Sequence, residues 1–292
     1  MLEPPARPPG HRRLADACTA DEAPMPDEHV RMPASSWAAP GQVWADEADD
    51  SLVEETPVAL IYNGISHAVM LATPSDLEDF AYGFSLTEGI VSRRQDIYGM
   101  DIVSVGQGIE VRIELASERF VQLRHRRRTL AGRTGCGLCG VDSLAAALRP
   151  VAALEHRACL SRAALARALA ELVQDQALHR LTGGAHAAAW VSASGQIQLV
   201  REDVGRHNAL DKLIGAQLRW GDDPRAGFVL VTSRASYEMV HKAAAAGIGC
   251  LVAVSAPTAH AVRLAADTGL TLVGFARGQR CTAYTFPDRI TA

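Results

Sequence analysis

Two cysteines separated by two residues form the strongest chemical feature of the sequence. Cys136 and Cys139 stand in the glycine-rich segment GCGLCG, after Arg133 and the basic run at 124–128. Neighbouring arginines and the start of a helix predicted at about Asp142 favour the thiolate over the thiol, and a thiolate is a nucleophile. Such a pair is compatible with half of a zinc site, a dithiol redox couple, a sulfur carrier or a chance spacing.

The sequence offers little support for zinc or for thioredoxin-like chemistry. A structural zinc site needs two further ligands, and no second Cys-x-x-Cys occurs. A nucleobase deaminase needs a His-x-Glu motif, yet none of the ten histidines has a glutamate two positions later. A thioredoxin-like pair follows a strand directly, whereas a charged, glycine-rich segment precedes Cys136. No permanently bound metal is therefore expected.

A second polar segment follows a predicted strand and opens a helix. Asp203 is interpreted as the N-cap, and His207 and Asp211 share one face of the helix at i,i+4, with Lys212 next in sequence. Gly205 allows a ligand to approach the backbone amides at the helix start, where an anion is favoured. The same residues also fit a capped surface helix whose charges only solvate it.

Hydroxyl and arginine side chains follow the ends of three strands predicted in a β-α-β-α-β unit. Ligands of parallel sheets bind beyond the carboxyl ends of the strands, and arginines and helix amides suit phosphate. The sequence therefore predicts a phosphorylated ligand at this edge, although helix caps and solvated arginines explain each segment taken alone. The residues concerned are Ser233, Arg234, Ser236, Thr258, Arg277 and Arg280. Because no Gly-x-Gly-x-x-Gly or Walker motif accompanies these segments, ATP hydrolysis has no direct support.

Alternating helix and strand patterns place these residues in an α/β protein. An Asn-Gly pair at 63–64 marks a hairpin within 57–71, and a helix is expected to begin within 73–78 and to end at Gly89. The other predicted elements are strands near 109–115 and 119–123, a helix at 162–174, a strand pair at 187–191 and 196–200, strands at 228–232, 250–254 and 270–275, and helices at 236–246 and 258–267. The last three strands are uniformly apolar, which is expected where helices cover both faces of a sheet.

The composition indicates a soluble chain with a small, specific ligand. Its 292 residues are 48% apolar and 5% aromatic and carry a formal charge of -4, which argues against a nucleic-acid partner. No apolar leader or membrane-spanning run occurs, and the six cysteines are too scattered for a disulfide framework. We therefore predict a cytoplasmic protein without a membrane partner. Cys159 and Cys250 are expected to be buried packing residues.

The distribution of proline sets the predicted domain boundaries. Eight of the fourteen prolines lie in the first forty residues, which show no apolar periodicity. We predict a disordered tail over 1–45, a small α+β subdomain over 46–130, a mobile Cys-x-x-Cys loop over 131–141 and an α/β domain over 142–292.

Several segments spread along the chain form one combined pattern. They are DFAYGFSLTEGI from Asp79, RTGCGLCG from Arg133, TGGAHAAA from Thr182, EDVGRHNALDKLIG from Glu202, SRASYEMVHKAAAAGIGCLVAVSAPT from Ser233, and GFARG ending at Gly278. Together they resemble the formate dehydrogenase accessory sulfurtransferase family (FdhD), from about Leu52 to the carboxyl terminus. The sequence departs from the family pattern at His260, where an aliphatic residue is expected, and the tail before about Trp44 has no counterpart.

The resemblance implies a fold and a function. The implied fold is a cytidine-deaminase-like three-layer α/β core with a smaller amino-terminal α+β subdomain, in a homodimer. The implied function is a sulfur carrier that accepts sulfane sulfur from a cysteine desulfurase as a cysteine persulfide. The carrier passes this sulfur to the molybdenum, or tungsten, of a bis(molybdopterin guanine dinucleotide) cofactor, a bound substrate that then enters formate dehydrogenase. The alternative is a zinc-stabilised or non-catalytic chaperone that binds the molybdenum cofactor.

The resemblance also assigns residues to this chemistry. Cys136 bears the persulfide, and Cys139 is a relay or second acceptor. The cofactor-binding stretch of the family falls on Phe275, Ala276, Arg277, Gly278, Gln279 and Arg280. The guanine nucleotide arms and phosphates of the cofactor are assigned in addition to Ser233, Arg234, Ser236, Thr258, Asp203, His207 and Lys212. The basic run before Cys136 can steer both an acidic partner surface and the pyrophosphates.

Overall fold

The computed structural model describes residues 24–34, 48–128, 150–156, 158–221, 223–278 and 280–292. The strands are β1 His29–Ala34, β2 Ala48–Val53, β3 Thr56–Tyr62, β4 Ile65–Ala72, β5 Ile97–Val105, β6 Gly108–Leu115, β7 Leu160–Ser161, β8 His186–Ser192, β9 Ile197–Asp203, β10 Gly227–Val231, β11 Cys250–Ala253, β12 Thr271–Arg277, β13 Arg280–Ala283 and β14 Ile290–Thr291. The helices are α1 Leu77–Thr87, α2 Ser117–Arg128, α3 Arg162–Asp175, α4 Ala177–Thr182, α5 Arg206–Trp220, α6 Tyr237–Ala245 and α7 Ala259–Thr268, with short 3-10 turns at Arg94–Asp96 and Pro287–Arg289. None of the described helices is long and apolar enough to cross a membrane.

The amino-terminal unit is a four-stranded sheet covered by α1. Its strand order is β4-β3-β6-β5, with β3 and β4 joined as the predicted hairpin. Asn63 and Gly64 both adopt positive φ, at 47° and 80°, as a two-residue turn between twisted strands requires. Leu60, Tyr62 and Val111 are fully buried on the sheet face that packs against Phe80 of α1. This packing confirms the predicted hairpin and the helix that follows it.

Two segments of this half differ from the sequence-based expectation. Residues 29–34, assigned to the disordered tail, form β1 and pair antiparallel with β2 in register His29↔Val53. This pairing depends on backbone hydrogen bonds to a distant segment, which residue types do not reveal. Residues 119–123, predicted as a strand, lie in α2. Phe120 and Leu123 pack on the same core. Apolar residues three positions apart share one face of a helix, and a run this short also reads as a strand alternation, so the pattern alone does not separate the two.

The carboxyl-terminal half is built on a six-stranded mixed sheet of order β13-β12-β11-β10-β8-β9. Strands β10, β11 and β12 are parallel, as the β-α-β-α-β pattern predicts, while β8 and β13 run antiparallel to their neighbours. In β10, Val229 and Val231 pack towards α5, α6 and α7, whereas Phe228 and Leu230 pack towards α3. Helices therefore cover both faces, which confirms the α/β class. The cytidine-deaminase-like family of this fold stays a prediction.

Helices α1 and α5 join the two halves by a backbone-to-backbone crossing. A Cβ atom at Gly83 would lie 1.8 Å from the carbonyl oxygen of Asp211, and one at Gly215 would lie 1.8 Å from the carbonyl oxygen of Asp79. No side chain fits at either position. Beside the crossing, the carboxylate of Asp79 accepts hydrogen bonds from both Arg201 and Arg219. The two sheets are thus held together at a distance that only glycine permits.

Replacing Gly215 with alanine is expected to destabilise the protein, although alanine normally stabilises a helix interior by about 1 kcal/mol relative to glycine. Its Cβ would overlap the α1 backbone, so the helices must separate at a cost of at least about 2 kcal/mol. Urea unfolding measures the difference. Gly99→Ala is the matched control, because a Cβ there would meet only a Glu114 side-chain oxygen at an ordinary 3.5 Å. Equal stability of Gly215→Ala and Gly99→Ala would contradict the close crossing.

Candidate functional site

The carboxyl ends of strands β9 to β12 lie at one edge of the sheet, and helices α5, α6 and α7 begin there. The amide of Ala235 donates to the carbonyl of Ala256 at 3.2 Å, and the amide of Phe275 donates to the carbonyl of Ser255 at 3.1 Å. The three predicted ligand segments are therefore adjacent, as the sequence predicts for the ends of parallel strands.

The hydroxyl residues at this edge have different local roles. Ser233 is buried and donates to the carbonyl of Arg234, whose own side chain is exposed. Thr258 is the N-cap of α7, and its Oγ1 accepts from the amide of Ala261 at 3.2 Å. Ser236 stands at the N-cap position of α6 but makes no side-chain cap. Its hydroxyl is thereby free to contact a neighbouring side chain instead.

That neighbour is His207, which forms a small polar cluster with the start of α6. Its Nε2 lies 3.4 Å from Ser236 Oγ and 3.3 Å from Glu238 Oε2. Burial, with the cations of Arg206 and Lys242 nearby, lowers the pKa of His207 to about 3. Burial also raises the pKa of Glu238. At neutral pH the imidazole is uncharged, so it contacts Glu238 and Ser236 as a hydrogen-bonding group rather than as a cation.

Asp203 and Lys212 form an ion pair beneath the surface rather than part of an open site. Their charged atoms are 2.7 Å apart, and both side chains are completely buried. Lys212 also donates to the carbonyls of Thr73 and Glu202, which uses all three of its N–H groups. A ligand cannot touch either residue in this conformation, so their assigned cofactor contacts are replaced by a structural role.

The predicted N-cap at Asp203 is also wrong. The N-cap of α5 is Gly205, and Asp203 is the last residue of β9. Its Oδ1 accepts from the Gly205 amide at 2.7 Å and from Asn208 Nδ2 at 3.0 Å, while its Oδ2 accepts from the Thr73 amide at 3.0 Å. The carboxylate fixes the strand-to-helix junction and links it to the amino-terminal unit.

A second buried lysine lies close to the cluster of His207, Ser236 and Glu238. Lys242 Nζ is 2.8 Å from Asp211 Oδ2 and 3.1 Å from Thr87 Oγ1, and Glu88 lies 3.6 Å away. Burial works against its charge, but the surrounding carboxylates outweigh burial and raise the pKa of Lys242. A surface charge is the simplest expectation for a lone lysine in a sequence, and the structure instead places this cation between the two halves of the protein.

Three residues of the predicted stretch, Phe275, Arg277 and Arg280, line an open cleft of about 600 Å³ at the β12–β13 edge. A bulge between Gly274 and Arg277 interrupts the pairing of these strands. Within it Phe275 has φ 51° and is 45% exposed, whereas Ala276 is buried. Arg277 is anchored by a hydrogen bond from Nε to the carbonyl of Val254 at 3.1 Å. The side chains that line the cleft are Arg162, Phe275, Arg277, Arg280, Cys281 and Thr282.

Arg162, which comes from α3 on the far face of the sheet, is not among the site residues predicted from the sequence. The one feature of the sequence that could have pointed to Arg162 is its position at a predicted helix start, where the helix dipole disfavours positive charge. Gly278 follows the bulge with φ 56°. Cys136, Cys139 and Gln279 lie outside the described residues.

The other cysteines divide by exposure. Cys250 is buried as expected, and burial raises the pKa of its thiol to about 12, which makes it unreactive. Cys159 was expected to be buried but is exposed, and Cys281 is partly exposed in the cleft.

The low pKa of His207 predicts an acid-sensitive stability. Because the folded state resists protonation that the unfolded chain accepts near pH 6.5, stability is complete above that pH and falls as the pH decreases towards 3. Between pH 6.5 and 4.5 the loss should be about 2 kcal/mol. Urea unfolding of wild type and His207→Gln at a series of pH values, with pH 8 as the common baseline, should show a shallower acid dependence in the variant. Parallel curves would contradict the buried, neutral imidazole.

Comparison with known proteins agrees with the resemblance noted in the sequence. The model of the FdhD/NarQ family matches residues 53–291. The sulfur carrier protein FdhD of Bordetella petrii is 56% identical over 250 residues, which cover 86% of this chain and 90% of the relative. That of Cupriavidus necator is 54% identical over 265 residues, 91% of each chain.

A solved structure shares the fold. The crystal structure of a candidate formate dehydrogenase accessory protein from Desulfotalea psychrophila aligns with a TM-score of 0.68 and 25% sequence identity, over 90% of this chain and 99% of that chain. Both kinds of comparison extend over the two sheets and the crossing between them. The chain belongs to the FdhD/NarQ family.

Proposed function

We propose that this protein carries sulfur as a persulfide on Cys136, from a cysteine desulfurase to the molybdenum of a bis(molybdopterin guanine dinucleotide) cofactor destined for formate dehydrogenase. Relatives that are more than half identical are named sulfur carrier proteins. The single structural observation that carries the proposal is the arginine-lined cleft that includes Phe275, Arg277 and Arg280, which offers a site for an anionic, ring-bearing substrate. The protein would act in the cytoplasm as a homodimer.

Sulfur loading on Cys136 is a thiol exchange. The Cys136 thiolate attacks the terminal sulfur of the persulfide on the donor, and a new S–S bond forms. The S–S bond of the donor breaks, and its cysteine leaves as a thiolate with the electron pair. Cys139 can take the same sulfur by an identical exchange, which makes it a relay. No external oxidant or reductant is needed for either step.

Delivery to the metal requires two electrons. When the S–S bond at Cys136 breaks, the cysteine leaves as a thiolate and the departing sulfur is formally neutral. It becomes a sulfide ligand by taking two electrons from the metal centre in its reduced, Mo(IV) form, which is oxidised to Mo(VI). The step therefore regenerates a free Cys136 thiolate, ready for another round of loading.

The cleft has the groups that such a substrate needs. Arg277 keeps its terminal guanidinium nitrogens for a ligand, because among the described residues only its Nε is engaged, by the carbonyl of Val254. With Arg280 it can hold a phosphate by paired, charge-assisted hydrogen bonds. The exposed ring of Phe275 can stack on a guanine or pterin, a contact worth about 1–3 kcal/mol for bases on aromatic side chains. Asp203 and Lys212 contribute indirectly, because they hold the adjoining helix starts in place.

The test is the intact mass of the full chain after incubation with a cysteine desulfurase and cysteine. We expect a gain of one sulfur that a reductant removes and that is absent in Cys136→Ala. Cys159→Ala is the matched control, since it removes an exposed thiol remote in sequence from the Cys-x-x-Cys pair and should load as wild type does. Zinc is measured on the same samples.

The outcomes separate the candidate functions. Loading that persists in Cys136→Ala but disappears in Cys139→Ala would move the persulfide to Cys139. An absence of loading together with stoichiometric zinc would overturn the sulfur-carrier proposal and leave a zinc-stabilised chaperone that binds the cofactor, in which removal of the metal should unfold the protein.

A further inference from the structure

Three arginines line the cleft that is formed by Arg162, Phe275, Arg277, Arg280, Cys281 and Thr282. Within the described part of the chain, Arg162, Arg277 and Arg280 form no ion pair with a carboxylate. Other arginines are neutralised locally, as Arg201 is by Asp79 at 2.7 Å. Like charges gathered on one concave surface repel each other unless an anion binds between them.

Arg162 stands where its charge lowers helix stability. It is the first residue of α3, directly after the N-cap Ser161, whose Oγ accepts from the Ala164 amide. A cation in the first helical turn opposes the helix dipole by about 0.3–1 kcal/mol. Since it has neither a carboxylate partner among the described residues nor a favourable dipole, its contribution to folding does not explain the position.

We infer that Arg162 is a third phosphate-binding arginine of this cleft, opposite Arg277 and Arg280, and that together they select a ligand with a pyrophosphate group. Three guanidinium groups match two linked phosphates better than they match a single phosphate. Each phosphate can accept a bidentate pair of hydrogen bonds from one arginine, and the third arginine can bind both phosphates. The inference rests on the proposed function for the identity of the substrate, since each guanine arm of that cofactor contains a pyrophosphate.

The experiment measures binding of inorganic pyrophosphate and of guanosine 5′-diphosphate to the full chain by calorimetry. Arg162→Gln should weaken both by about tenfold, the loss expected for one charge-assisted contact. Arg167→Gln is the matched control, because this arginine is also exposed on α3 but is paired with Glu171 at 2.7 Å. Guanosine alone tests the contribution of the Phe275 ring without phosphate.

Cys281 reports where the ligand sits. As a partly exposed thiol of the cleft, it should react with iodoacetamide in the free protein and be protected by pyrophosphate in wild type and in Arg167→Gln. At the same pyrophosphate concentration the protection should be lost in Arg162→Gln. The midpoint of thermal unfolding of Arg162→Gln should equal or exceed that of wild type, which separates a binding role from a structural one.

Three results would overturn the inference. They are equal pyrophosphate affinity of Arg162→Gln and wild type, binding that leaves Cys281 unprotected, and no binding of either phosphate probe to wild type. Sulfur loading of wild type is measured separately with the desulfurase. Failure of sulfur loading would overturn the proposed function. A positive pyrophosphate result would still stand, and so would the role of Arg162 in pyrophosphate binding.

Discussion

The contact on which the rest of the structure depends is the crossing of α1 and α5 at Gly83 and Gly215. Because a Cβ at either position would overlap the opposite backbone, the two helices approach closely enough for polar side chains to bridge them. The ion pair of Asp203 and Lys212 reaches Thr73, and the pair of Asp211 and Lys242 reaches Thr87. These ion pairs therefore connect the amino-terminal half to the strand ends at the candidate site. Contacts to Thr73 and to Thr87 together fix the position of α5.

The use of the two kinds of cation follows from this arrangement. Lys212 and Lys242 are the only lysines in the chain, and both are buried with a carboxylate and a backbone or hydroxyl acceptor. A compact ammonium with three donors suits such closed sites. Arginines occupy the open ones, where a planar fork can bind an incoming phosphate or carboxylate. The described surface has no lysine and thus presents guanidinium rather than ammonium groups.

Much of the scaffold could be predicted because its signals are local. The Asn63-Gly64 turn demands positive φ at two successive residues, and uniformly apolar strands between helices indicate a covered parallel sheet. What failed depended on distant partners. Strand β1 exists because β2 supplies its hydrogen bonds, and the burial of Lys212 depends on Thr73, more than a hundred residues away. In the same way Arg162 joins the Arg277 cleft only through tertiary packing, so no spacing rule could select it.

The cleft itself collects features that oppose stability. Phe275 has a positive φ that costs a non-glycine residue of order 1 kcal/mol or more, Arg162 opposes a helix dipole, and Arg277 lies beside other uncompensated charges. Any one of these is tolerable in a protein with this core. Their convergence on one concave surface is not what selection for folding alone produces, because each is removable by a single substitution. The positive φ at Phe275 turns its ring outward while Ala276 stays in the core, so an exposed ring and a buried core residue are neighbours within one strand bulge.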